Sequence, residues 1–296
     1  LERSKPWAIR LMHEAQMHEE NSFITLTYNN EGLYSRRPTR EPAVPCTPPS
    51  ESGRTNENDT IAHAKAHARQ ESLTKRDAQL FLKRLRKDLT TRNPSTRIRL
   101  YLVGEYGEKN QRPHYHAAVF GEAFTADRFA AGKSPTGEQL WRSPTLEKLW
   151  PYGYSSIGDL TFKSAAYIAR YIMKKVNGKM AEEHYKREDP QTGEIYYLLP
   201  EFNLMSRRPG IGKGWIEKYG PDVYPHDYVI MNGAKHKPPR YYDKMLEQVD
   251  KELTTLLKLE REFTSRSKAA DNTPARLAAK EKVAQARLNQ SKRTLK

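Results

Sequence analysis

Apolar and polar positions alternate along this chain with two periods, and each period predicts a different element. Trp7, Leu11, Ala15 and His18 recur at helical spacing from Pro6 to about Glu20, and proline suits a first helical turn. Phe23 to Tyr28 is rich in β-branched and aromatic residues and stops at Asn29-Asn30, which predicts a buried strand. Thr74 offers an N-cap to a helix running through Phe81, Leu85 and Leu89. Arg97 to Val103 alternates in period two, with Ile98, Leu100 and Leu102 on its packed face. Gly104 to Asn110 then reads as a turn and His114 to Phe120 as the returning strand of a hairpin.

The later chain is less regular. A loop holding Pro135 and Gly137 precedes a short helix near Thr145 to Trp150, and Tyr154 to Ile157 reads as a fourth strand. Thr161 can cap a helix that Gly178 closes. Ile195 to Leu199 and Tyr228 to Met231 have strand character, and Trp215 to Tyr219 that of a helical turn. From Tyr242 a narrow apolar seam of Leu246, Val249, Leu253, Leu256 and Phe263 predicts helices with a break near Asn272 to Pro274. The fold class expected is α+β, a central antiparallel sheet flanked by helices, drawn as lying on one face, with a C-terminal helical extension.

Composition divides the 296 residues further. Residues 36–72 change from a proline run to polar sequence, which predicts a flexible surface insertion. A principal domain over 1–240 and a basic helical tail over 241–296 are expected. The net charge of +15 favours a polyanionic partner such as nucleic acid. The lone cysteine, Cys46, excludes a disulfide framework and any multi-thiolate zinc site. No run approaches the roughly 18 apolar residues of a membrane helix, so a soluble protein without a membrane partner is expected. Leu1 stands where a start methionine belongs, and an earlier segment is expected.

The chemistry concentrates in two places. His114 and His116 sit two apart on a predicted strand, so they share a face and can hold one divalent metal or hydrogen-bond a phosphate. The hairpin returns Glu105 beside them as a third ligand, with Glu108 the alternative. A third alternating histidine is missing, since position 118 is Ala118, and Glu122 stands too far on for a cupin. His63 and His67 have helical ligand spacing but lie in the insertion. The second place is the helix after Thr161. There Ala165, Ile168, Ile172 and Val176 form the core stripe, while Tyr167, Tyr171 and Lys174 lie on another flank. Lys174 stands where it can favour a phenolate, the form in which tyrosine is a nucleophile. The plain alternative is that both rings pack on the sheet.

The strand Phe23 to Tyr28, the Pro113-His114-Tyr115-His116 core and Tyr167-x-x-x-Tyr171-x-x-Lys174, in that order, resemble the HUH endonucleases that initiate rolling-circle replication. Among them the chain is most similar to the two-tyrosine initiators of microviruses, the gokushovirus branch, over residues 1–240, including Glu201 to Gly210. The resemblance implies an RRM-like sheet, Mg²⁺ or Mn²⁺ held by His114 and His116, and alternating attack by Tyr167 and Tyr171 assisted by Lys174. It also implies a 5′-phosphotyrosine, a free 3′-OH, single-stranded origin DNA as substrate, the bacterial host cytoplasm as location and a cysteine-rich stretch ahead of Leu1. A transposase or plasmid initiator with the same chemistry, and a non-catalytic single-strand binder, are the competing readings. Gly210 to Gly214 lacks the spacing of a phosphate loop, so unwinding is assigned to a host helicase. Expected DNA contacts are Lys83, Arg84, Arg86, Arg170, Lys175, Arg207, Arg208 and Lys213. Trp141, Trp150 and Trp215 are read as core residues.

Overall fold

The computed structural model describes residues 4–34, 72–107, 110–171, 175–188, 193 and 195–290. The expected insertion, with Cys46, His63 and His67, falls outside them apart from Ser72, as do Glu108 and Lys174.

Pro6 stands in the first turn of α1 (Lys5–Ala15), which leads into β1 (Asn21–Tyr28) and the short α2 (Asn30–Tyr34). Helix α3 (Lys75–Arg92) begins at Thr74, whose hydroxyl accepts a hydrogen bond from the Arg76 N–H at 3.1 Å. The expected hairpin follows as β2 (Arg99–Tyr106) and β3 (Pro113–Phe120). Next come β4 (Phe129–Lys133), β5 (Gln139–Arg142), α4 (Pro144–Leu149), β6 (Gly153–Gly158) and α5 (Phe162–Tyr171). After these stand α6 (Met180–Tyr185), β7 (Lys186–Glu188), β8 (Ile195–Tyr197) and β9 (Phe202–Met205). The chain closes with α7 (Lys213–Val223), β10 (Val229–Met231), β11 (Ala234–His236), α8 (Arg240–Val249), α9 (Lys251–Ser267), a 3₁₀ turn over Ala269–Asn272 and α10 (Pro274–Gln290). None of the described helices is long and apolar enough to cross a membrane.

The central sheet has seven strands in the order β4-β5-β6-β1-β3-β2-β9. Its two faces follow from strand alternation. Ile24, Leu26 and Tyr28 of β1, Leu100 and Leu102 of β2, and Tyr115, Ala117 and Val119 of β3 join Phe81, Leu82, Leu85 and Leu89 of α3 in the main core. A polar network crosses that core. The Tyr28 hydroxyl donates to Asp77 Oδ2 at 2.7 Å, and the Tyr115 hydroxyl donates to the Thr74 carbonyl at 2.9 Å. These bonds fix the start of α3 over the sheet and satisfy buried hydroxyls that would otherwise destabilise the interior.

The opposite face carries α1 and α5, so the sheet is covered on both sides and the expected one-sided arrangement is corrected. Trp7 of α1 packs on Tyr101 with ring centroids 5.3 Å apart, and every residue of β2 after Arg99 is buried. Three further expectations change. The stretch read as a loop around Pro135 is the pair β4 and β5, and β9 adds an edge strand beside β2. Gly178 does not close α5: the helix is described only to Tyr171, residues 175–177 are irregular, and Gly178 at φ +73° sits in the turn before α6. The C-terminal seam is broken at Asp250, which caps α9 through the Leu253 N–H at 2.8 Å. Val249, Leu256 and Phe263 are exposed, while Leu257 is buried.

The chain forms two compact units, Leu1–Ala131 with Leu140–Ile211, and Gly132–Gln139 with Gly212–Lys296. In the second, Trp215 stacks on Tyr242 at 5.8 Å. Gly212 stands at φ +79°, with a built Cβ only 2.7 Å from the Tyr242 hydroxyl, so any other residue there would displace the ring.

Candidate active site

Antiparallel pairing sets Glu105 opposite His114 and Val103 opposite His116, so carboxylate and imidazoles rise from one face of the hairpin. Glu105 Oε1 lies 2.9 Å from His114 Nε2 and 3.1 Å from His116 Nε2. Glu105 is 2 % exposed and His116 7 %. Burial raises the Glu105 pKa, but hydrogen bonds and charge from His114 and His116 outweigh it and hold the carboxyl below its ordinary range.

The remaining ring nitrogens are also held. His114 Nδ1 meets the Arg112 carbonyl at 3.1 Å, and His116 Nδ1 meets Thr25 Oγ1 at 2.9 Å. A carbonyl only accepts, so His114 Nδ1 carries a proton and Nε2 is the nitrogen left for a cation or a second proton. An octahedral ion with ligands at about 2.1 Å holds neighbouring donors about 3 Å apart. The two nitrogen-to-oxygen separations match that spacing, and the three ligand atoms lie within 4.8 Å of one another. Two imidazoles and a carboxylate with supported outer nitrogens therefore fit a divalent metal.

Helix α5 brings the tyrosines. Thr161 Oγ1 accepts from the Ser164 N–H at 3.2 Å and starts the helix, while Ala165, Ile168 and Ala169 are buried beneath it. Tyr167 is 8 % exposed, and its hydroxyl lies 3.4 Å from Glu105 Oε1. Its ring meets His116 edge-on at 5.1 Å, and Tyr171 stacks on His116 at 6.2 Å. The two tyrosine rings are 4.7 Å apart. The expectation that both tyrosines lie off the buried side of the helix is thus corrected for Tyr167. The sheet presents a polar cluster at this level, and the helix turns its tyrosine flank towards that cluster as well as its apolar stripe inward.

The structure joins Glu105, His114, His116, Tyr167 and Tyr171; Lys174 lies outside the described residues. Arg170 is partly exposed beside Tyr171, and Lys175 is exposed. Lys83, Arg84 and Arg86 stand on α3, in the layer across the sheet from the cluster. The Arg84 guanidinium donates to the Leu149 carbonyl at 2.8 Å and lies over the Tyr152 ring. Arg207 and Arg208 follow β9 near Leu100, five residues and about 17 Å along β2 from Glu105. Lys213, in the second unit, pairs with Glu217 at 3.1 Å. Sequence reasoning missed Thr25 and Phe23, the latter stacked on His116 at 5.4 Å. The only sequence signal for either is β1 alternation, which places both on the face opposite Ile24 and Leu26.

The family model for the replication-associated protein ORF2 matches residues 21–176. The chain is similar to the replication-associated protein VP4 of Bdellovibrio phage phiMH2K, 31% identical over 82% of this chain and 62% of that protein. It is also similar to the replication-associated protein ORF2 of Spiroplasma virus 4, 30% identical over 84% of this chain and 65% of that one. The replication-associated protein ORF4 of Chlamydia phage 1 is 26% identical over 83% of this chain and 51% of its own length. The chain thus spans between half and two thirds of the length of these relatives. No solved structure matches it significantly.

Proposed function

Because the chain belongs to the replication-associated protein ORF2 family, we propose that it initiates replication of a small circular single-stranded DNA phage genome by nicking and rejoining single-stranded origin DNA. One observation carries this reading: two tyrosines stacked at a buried His-His-Glu cluster, one with its hydroxyl on the cluster's carboxylate.

The chemistry follows from that juxtaposition. Glu105, His114 and His116 hold the metal, Mg²⁺ or Mn²⁺, which when bound polarises the scissile phosphate. A tyrosine Oη attacks phosphorus; the Oη–P bond forms and the P–O3′ bond breaks. The phenol loses its proton and the departing 3′ oxygen gains one, leaving a 5′-phosphotyrosine and a free 3′-OH. Lys174 stabilises the phenolate. The second tyrosine repeats the attack at the regenerated origin while the first still holds the displaced strand. Arg170 and Lys175 follow the tyrosines in sequence and are the nearest of the expected phosphate contacts. A host helicase supplies unwinding, and the reaction belongs to the host cytoplasm.

The test is an SDS-stable protein–DNA adduct formed with single-stranded origin-like DNA and Mn²⁺ or Mg²⁺. Wild type forms it, EDTA abolishes it, and Tyr167→Phe combined with Tyr171→Phe abolishes it. No adduct from wild type, or an adduct from the double variant, overturns the proposal.

A further inference from the structure

Strand register places one more aromatic side chain in line with the cluster. Glu105 pairs with His114, His114 with Thr27, and Thr27 with Tyr154, so four side chains from β2, β3, β1 and β6 form one row. Directly opposed residues in antiparallel strands share a face, and Tyr154 therefore stands on the face of the metal ligands. Ile157, three residues on, points to the main core on the other face.

Tyr154 is 67 % exposed, although it belongs to a strand in the interior of a seven-stranded sheet. Among the described residues it makes no ring contact, hydrogen bond or ion pair. Its neighbour explains how it is held: Gly153 stands at φ +152°, and a Cβ there would fall 2.4 Å from the Thr27 carbonyl oxygen and 2.3 Å from the Asn29 nitrogen. Only glycine lets β6 begin so tightly against β1, and that contact fixes the Thr27–Tyr154 register. A rigid, exposed ring with an apolar face, beside a candidate phosphate-handling centre in a chain of net charge +15, matches what an unpaired base needs from a protein surface.

We infer that Tyr154 is a base-stacking subsite for single-stranded DNA, alongside the metal ligands on the same sheet face; this rests on the reading above. Two inter-strand steps separate it from His114, about 10 Å between Cα atoms. At about 3.4 Å or more per nucleotide, the stacked base lies within about three nucleotides of the scissile phosphate. Tyr154 then orients the strand leading to the nick without touching the reacting atoms.

Fluorescence anisotropy with a short labelled oligodeoxythymidine, in EDTA so that no cleavage intervenes, tests the inference. Tyr154→Ala weakens binding roughly 5- to 150-fold, whereas Tyr154→Phe, which keeps the ring, stays within about twofold of wild type. Binding by Tyr154→Ala within about twofold of wild type overturns the subsite, as does an equal loss in Tyr154→Phe. The adduct assay on the same preparations separates the two readings. An adduct from wild type with unchanged Tyr154→Ala binding removes the stacking subsite alone. Weakened Tyr154→Ala binding with no wild-type adduct removes the nicking reading and leaves the subsite standing.

Discussion

Thr25 illustrates how a residue without chemistry of its own governs one that has it. Its hydroxyl lies 2.9 Å from His116 Nδ1 and selects which imidazole nitrogen faces Glu105. Thr25→Val therefore lowers Mn²⁺ affinity by about 10- to 100-fold, and Thr25→Ser restores it, as read by calorimetric titration of the metal without DNA. Equal affinity in the Val variant would show that strand packing alone orients the ring. The contrast with Glu105 is instructive. Glu105 was legible because one turn joins it to His114, whereas Thr25 reaches His116 only through the β1–β3 pairing, across 91 residues.

Elements divided in the same way. The helix after Thr74 and the hairpin β2–β3 announced themselves through a cap and an alternation, both local signals. Strand β4 did not, because all five of its residues are exposed, and β9 has only four partly buried residues at a sheet edge. The C-terminal helices show that a seam can be written and then interrupted. Asp250 breaks it, and the packing of α9 relies on charge instead. Arg261 donates to Asp227 Oδ2 at 2.7 Å and to Asp243 Oδ2 at 3.0 Å, and the Tyr224 hydroxyl donates to Asp243 Oδ1 at 2.8 Å. With these ionic side chains each 22% exposed, Arg261→Met leaves two poorly solvated carboxylates without their cation. It destabilises the second unit by about 1–3 kcal/mol, allowing for the remaining solvent screening. Hydrogen exchange should quicken over α8 and α9 while β1 to β3 keep their protection. Unchanged exchange in α8 and α9 would mean that Leu257 and its apolar neighbours suffice.

For the molecule as a whole, acid sensitivity has an identifiable source. His13, 1 % exposed on α1, has its pKa lowered by burial from 6.5 to about 3. The unfolded chain takes up a proton below about pH 6.5 that the folded chain refuses until about pH 3. Stability is therefore fully present above pH 6.5 and falls with acidification, by up to about 1.4 kcal/mol per pH unit in that window. Thermal melting between pH 7 and pH 4 should show the decline, with a shallower slope in His13→Gln; an identical slope would assign it to other groups.

Residues close along the chain were enough to dictate the α+β composition, the helix after Thr74, the hairpin that returns Glu105 to His114 and His116, and the spacing of Tyr167 and Tyr171. Those signals are local because periodicity, caps and turns act within a few residues. Register and layering, by contrast, arose only on folding. Helices cover both faces of the sheet, Tyr167 turns inward to the Glu105 carboxylate, Thr25 holds His116, and Tyr154 stands in the row of metal ligands. Each of these contacts joins distant segments. A shift of one residue in strand pairing would send every side chain on that strand to the other face, so no reading of one segment at a time could have placed them.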